Sequence, residues 1–183
     1  MKKVLFLYVG LLVTFATTLQ SCVEEQDFDQ IDDLEITPVV ASSLFYVEAT
    51  EQTINDETNT TFYSQDINFD AFSEEYVSDH ILEGTLTYEI ENTTSKSIVV
   101  QIDFLDANGT ILDSELFSVN PAPTALIARE VNYGAGGKSI EIIRNTSAFR
   151  ISASNLGNNY SVSSEQNPTV ILRSSAAFMI GVR

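Results

Sequence analysis

From Leu82 to Glu91 the chain alternates without a break, with Leu82, Gly84, Leu86, Tyr88 and Ile90 at even positions and Glu83, Thr85, Thr87, Glu89 and Glu91 at odd ones. A period of two puts one set on each side of an extended strand, so this segment predicts a strand with one face toward a core and one toward water. Sheets with one wet face are antiparallel, because parallel sheets are covered on both sides. The pattern recurs downstream. Ile98, Val100, Ile102 and Phe104 begin a second strand. Asp106-Ala107-Asn108-Gly109 predicts a hairpin turn with Gly109 in a left-handed position, and Ile111 to Val119 forms the return. Asn120-Pro121-Ala122-Pro123 ends that strand, since proline has no N–H to give a ladder.

The rest of the chain is read the same way. Val39 to Glu48 alternates with both faces partly apolar, residues 51–65 read as a polar loop, and Ile67 to Phe72 reads as a short strand. Glu74 to Leu82 predicts a helical turn or two. Leu126 to Tyr133 is a further strand, followed by a flexible glycine loop at Gly134–Gly137. Lys138 to Thr146 fits a helix through Ile140 and Ile143 or a strand through Ile140 and Ile142. Phe149 and Ile151 share a strand face. Pro168 to Val182 closes the chain, with a bulge or bend expected at Ser174-Ser175-Ala176. The Tyr88–Thr93 and Phe104–Gly109 stretches resemble strand ends of late-embryogenesis-abundant-like and other immunoglobulin-like sandwiches. The expected fold is all-β: an immunoglobulin-like antiparallel β-sandwich of about seven or eight strands with at most one short helix. Connectivity stays open.

Charge is distributed unevenly. Between Cys22 and Ser95 there are nineteen acidic residues and no lysine or arginine; Lys96 is the first base after Lys3. From Lys96 onward seven acids face seven bases. Such a chain repels phosphate backbones, which argues against nucleic acid as a partner. It also disfavours lying flat on anionic lipid.

The N-terminus has a different composition. Lys2 and Lys3 precede an apolar run from Val4 to Ala16, which small and polar residues close at Thr17–Ser21. Leu19-Gln20-Ser21-Cys22 follows, with the only cysteine in the sequence. The segment resembles the signal peptide and lipobox of bacterial lipoproteins. That resemblance implies cleavage before Cys22, diacylglycerol on its sulfur, and membrane attachment through the new N-terminus. The run is shorter than the ~20 apolar residues a bilayer core demands, and a plain secretory signal would leave a free thiol in an oxidising compartment. The acids after Cys22, from Glu24 and Glu25 through Asp27-Phe28-Asp29-Gln30-Ile31-Asp32-Asp33 to Thr37-Pro38, resemble uncharacterised acidic surface lipoproteins of Bacteroidota (flavobacterial) type. The implied organisation is a signal peptide over 1–21, an acidic tether over 22–36 and a β-sandwich over 37–183. The implied location is the outer membrane, exposed at the cell surface, with a periplasm-facing anchor as the alternative.

Catalytic chemistry is sparse. His80, the sole histidine, lies in Ser78-Asp79-His80 without a Gly-x-Ser-x-Gly elbow or oxyanion loop. Zinc lacks nitrogen and sulfur ligands. Asp27, Asp29, Asp32 and Asp33 lack the central glycine and closing glutamate of an EF-hand, and Asp66 and Asp70 stand without companions. Without tryptophan, a glycan cleft is disfavoured. Gly134-Ala135-Gly136-Gly137-Lys138 lacks phosphate-loop spacing. The sequons at Asn59, Asn92, Asn108, Asn145 and Asn159 read as turn composition. No catalytic residue, metal ligand or cofactor is expected; Cys22 is the one expected modification site. The expected role is structural or protein-interacting, with an envelope protein as partner. A cation- or glycan-binding surface module is the alternative.

Overall fold

The computed structural model describes residues 36–69, 75–122 and 126–181. Cys22, the leader and the tether through Glu35 lie outside these residues, as do Asp70 and Pro123. The eight strands are β1 (Val39–Thr50), β2 (Thr61–Asn68), β3 (Ile81–Asn92), β4 (Ile98–Leu105), β5 (Ile111–Val119), β6 (Ile127–Tyr133), β7 (Ala148–Asn155) and β8 (Thr169–Ile180). They form two four-stranded antiparallel sheets, ordered β1-β8-β3-β6 and β2-β7-β4-β5. The expected all-β sandwich is present. Its strand order is that of the eight-stranded jelly roll. Only β4 and β5 are consecutive within one sheet; every other link crosses between sheets.

Inward side chains of both sheets form one core. Along β3 the even-numbered residues Leu86, Tyr88 and Ile90 are buried, as the alternation predicts. Leu82 is the exception at 41% exposed, while Ile81 is buried. A register shift between Ile81 and Glu83 reverses the phase at that end. β1 shows the same device on a larger scale. Ser43 pairs with Ser175 and Phe45 with Ser174, leaving Leu44 as an extra residue. Before it, odd positions face outward with Ser175 and Ala177; after it, even positions do. Both faces of this strand therefore look partly apolar in sequence. The bulge expected within Ser174–Ala176 is located here instead, across the ladder on β1. β8 keeps its alternation from Thr169 to Met179, because small side chains at its centre disturb nothing in an extended backbone.

Three short helices occur where at most one was expected: α1 (Glu51–Asp56), α2 (Glu75–His80) and α3 (Ile140–Asn145). The first overturns the loop expected over 51–65, and β2 begins within that span at Thr61. Thr50 caps α1 by accepting from the Thr53 N–H at 3.1 Å, and Ile54 is buried beneath it. α3 resolves the helix-or-strand ambiguity. Ser139 accepts from Glu141 N–H, and Ile143 is fully buried with Ile140 and Ile142 packed against the core. The hairpin falls where expected, with Gly109 at φ 78° and the Asp106 carboxylate accepting from the Asn108 and Thr110 N–H groups at 2.8 Å.

The open side between β5 and β6 is closed by charge. Arg129 on β6 bonds Glu115 on β5 at 3.0 Å, and its guanidinium carbon lies 3.7 Å from the Phe117 ring centroid. Lys138 reaches both Asp113 and Glu115 at 2.6 Å. Burial opposes the Lys138 charge, but the two carboxylates outweigh it and hold the ammonium above its usual range. The Gly134–Gly137 turn leads into this lysine. Gly134 N–H donates to Lys138 O, Lys138 N–H donates to Asn132 O, and a Cβ on Gly137 would overlap the Asn132 carbonyl.

Beside this seam the Tyr88 ring packs 5.4 Å from Phe117, yet its buried hydroxyl has no hydrogen-bond partner. Burial pushes the phenol strongly upward, so it stays protonated. An orphaned buried hydroxyl costs about 1–3 kcal/mol. Tyr88→Phe is therefore expected to stabilise the protein by about 1 kcal/mol in urea unfolding at unchanged m-value. A lower midpoint would mean that the hydroxyl has a partner in solution.

Candidate functional site

One end of the sandwich carries an unusual concentration of buried polar groups. It is built from α1, the β3–β4 turn (residues 93–97) and the β7–β8 loop (residues 156–168). At its centre are Glu51 and Lys96, with 3% and 0% of their surfaces exposed. Buried charges are tolerated only when solvated by protein dipoles, and both are. The Lys96 ammonium donates to the Asn158 carbonyl at 2.9 Å, the Ser161 carbonyl at 2.8 Å and the Ser161 hydroxyl at 2.9 Å. Glu51 accepts from Ser163 N–H at 2.8 Å and Ser95 N–H at 2.7 Å, and also from the Ser95 hydroxyl. Lys96 has no bond to Glu51. The two attract through space, and each is mainly satisfied by neutral groups.

These partners shift both groups. For Glu51, burial opposes the charged form, but the Ser163 and Ser95 donors outweigh it, helped by the Lys96 charge; its carboxyl lies below the usual range. For Lys96, burial dominates and lowers the ammonium, with Glu51 opposing. A carboxyl whose folded pKa is lowered adds stability above its unfolded pKa, near 4.3, and loses it as pH falls through the folded value. Wild-type thermal stability should therefore drop between pH 5 and pH 3 more steeply than that of Glu51→Gln. Parallel curves for the two proteins would remove Glu51 from the acid response.

Asparagines complete the end. Asn92 donates to the carbonyls of Lys96 and Asn120, both at 2.8 Å, and accepts from Thr94 N–H and hydroxyl. Asn155 accepts from Gly157 N–H at 2.8 Å, and Asn158 accepts from the N–H groups of Tyr160 and Ser161. Asn159 reaches the Glu57 carbonyl at 2.7 Å. Beside α1 lies a cavity of about 480 Å³ lined by Glu51, Gln52, Asn55, Asp56, Val162 and Pro168 among others. The buried Asn55 Oδ1 has no donor.

The other residues weighed from the sequence do not converge here. Ser78, Asp79 and His80 are consecutive on α2, where adjacent positions do not face one another. Asp66 is bound by Arg150 through two 2.8 Å contacts, which lower its carboxyl. Lys138 of the glycine turn is bound by Asp113 and Glu115. Asn92 and Asn159 spend their amides on the network. No group of three or more His, Cys, Asp or Glu suited to a metal ion occurs among the described residues, and no described helix is long and apolar enough to cross a membrane. Glu51, Asn55 and the β7–β8 loop were not anticipated. The available signals were an isolated lysine ending an acidic half, and the Asn/Ser/Gly density of residues 155–163.

No protein-family profile matches the sequence, and no curated protein matches it. Solved structures that align with the chain include one of Bacillus endospore appendages, described as disulfide-linked pili, at 10% identity and TM-score 0.37, covering 79% of this chain and 91% of that one. A Macrobrachium rosenbergii nodavirus semi-empty particle protein matches at 11% identity and TM-score 0.39, covering 82% and 96%. VP2 of an infectious bursal disease virus subviral particle matches at 11% and 0.38; 81% of this chain aligns with only 33% of that protein. Scores this low carry nothing about what the chain does.

Proposed function

We propose that the chain is a lipid-anchored lipoprotein of the bacterial outer membrane, exposed at the cell surface, whose jelly-roll domain serves a non-enzymatic, protein-interacting role. The observation that carries the anchor is the single cysteine at position 22, closing a lysine-led apolar leader through Leu19-Gln20-Ser21. Two or three acyl chains, at ~0.8 kcal/mol per buried methylene, hold a protein far more firmly than one. The acidic residues that follow favour a domain standing clear of anionic lipid, and they disfavour nucleic acid. The interaction role is supported by the character of the polar end: its charges are saturated by protein donors and acceptors that hold loops in place.

Intact-mass analysis of protein purified from cells tests the anchor. The expected result is a chain beginning at Cys22 and carrying acyl groups, with Cys22→Ala released from the membrane fraction. An unmodified thiol, or a retained leader, would overturn this reading. Cross-linking on intact cells tests the interaction role, which predicts a reproducible envelope-protein partner.

A further inference from the structure

The β7–β8 loop runs for thirteen residues, 156–168, without a helix or strand. Loops of that length are uncommon in compact domains and are mostly functional. This one is held by an internal cation: Lys96 binds it at Asn158 and Ser161, Glu51 binds it at Ser163, and the Ser163 hydroxyl donates to the Thr93 carbonyl at 2.7 Å. What the loop presents is apolar. Leu156 is 66% exposed, Tyr160 83% and Val162 76%. Isolated exposed apolar residues need no explanation, but three within seven residues of a pinned loop amount to a prepared contact surface.

Val162 is also a wall of the cavity beside α1. Its lining includes Asp56, which is exposed, whereas the adjoining Glu51 carboxylate is already taken by Ser163 and Ser95. Asp56, Glu57 and Glu165 carry no ion pair among the described residues. All six described bases are otherwise engaged: Lys96 within the network, and Arg129, Lys138, Arg144, Arg150 and Arg173 in ion pairs. No described cation is left over to face these acids.

We propose that the β7–β8 loop and the adjoining cavity dock an extended protein segment carrying an arginine or lysine next to an apolar residue. The cation enters the cavity against Asp56, its aliphatic stem passes Val162 and Pro168, and the apolar neighbour covers Tyr160 or Leu156. Long cationic side chains suit such sites because stem and head differ in polarity, and arginine beside an aromatic anchor is a recurrent hot-spot pairing. A second copy of this chain fits poorly, since its net charge of −17 would oppose association. The proposal rests on the protein-interaction reading above and specifies its surface.

The test is selection of a phage-displayed random heptapeptide library on the purified full chain. Tyr160→Ser, Asp56→Asn and Leu116→Ser, at an exposed position of β5 outside this surface, serve as comparison proteins. The expected result is enrichment of peptides with Arg or Lys beside an aliphatic or aromatic residue. Their binding should weaken at least about fivefold in Tyr160→Ser and in Asp56→Asn, weaken at high salt, and stay unchanged in Leu116→Ser. No enrichment, enrichment without a cationic residue, or indifference to both loop-side variants would overturn it. So would dimerisation in sedimentation that Tyr160→Ser abolishes, or a thermal shift with calcium or an oligosaccharide that Asp56→Asn abolishes. If the Tyr160→Ser/Asp56→Asn double variant still cross-links the wild-type partner on cells, this surface is wrong and the interaction reading stands.

Discussion

Lys96→Met is expected to cost about 3 kcal/mol and to release the β7–β8 loop. Methionine fills a similar volume, so the loss lies in hydrogen bonding rather than packing. Three acceptors lose a charged donor: the Asn158 and Ser161 carbonyls and the Ser161 hydroxyl. A bond to a charged group contributes about 1.5–3 kcal/mol, and a buried acceptor left alone costs about 1–3 kcal/mol. Recovered desolvation of the ammonium offsets part of that sum. The two carbonyls keep weaker partners at 3.3 Å in the Asn155 and Asn55 amides, which also moderates the loss. Two measurements check the result. The urea midpoint should fall at constant m-value, and chymotrypsin should cut the native variant at Tyr160 while sparing wild type. Destabilisation without loop cleavage would show that Lys96 supports the fold generally instead of pinning this loop.

Phe149→Ala is expected to cost about 3–5 kcal/mol. Phe149 sits on β7 opposite Phe104 of β4, with ring centroids 5.0 Å apart in an edge-on arrangement. It also meets Phe69 at 5.0 Å and, across the sandwich, Phe45 of β1 at 5.9 Å. The substitution therefore removes a ring that ties both sheets together, in a core without disulfides. A domain with ~5–15 kcal/mol in total would lose a large share of its stability. Phe149→Leu, which keeps most of the volume, should cost less than half as much in the same urea assay. Phe45→Ala combined with Phe149→Ala should cost less than the sum of the two, because they empty one shared space. Additive losses would contradict the shared cluster.

The strands were legible wherever alternation and turn chemistry agreed. β3, β4 and β5 with the Asp106–Gly109 hairpin are the clearest cases, and β4–β5 is the one pair whose connection stays within a sheet. α1 was not legible. Residues 51–56 hold one apolar side chain, Ile54, too few to show a period, and their helix depends on the Thr50 cap and on Glu51 being held by Ser95 and Ser163. The β1 bulge was hidden for a related reason. Leu44 shifts the phase by one residue, so the two half-strands superimpose as an apparent apolar pattern on both faces.

The polar end was least legible. Lys96 stood out in sequence as the first base after a long acidic stretch, and such a residue is ordinarily solvated. Its burial follows from two loops closing over it, and the carbonyls it binds lie more than sixty residues away, at Asn158 and Ser161.

By itself the amino-acid order determined the all-β class, the one-wet-face strands, the central hairpin and the uneven charge, because each depends on neighbours within a few positions. Tertiary structure alone decided the jelly-roll strand order, the burial of Glu51 and Lys96, and the cavity beside α1. Those depend on which distant segments meet at one end of the sandwich, and local periodicity carries no record of such meetings.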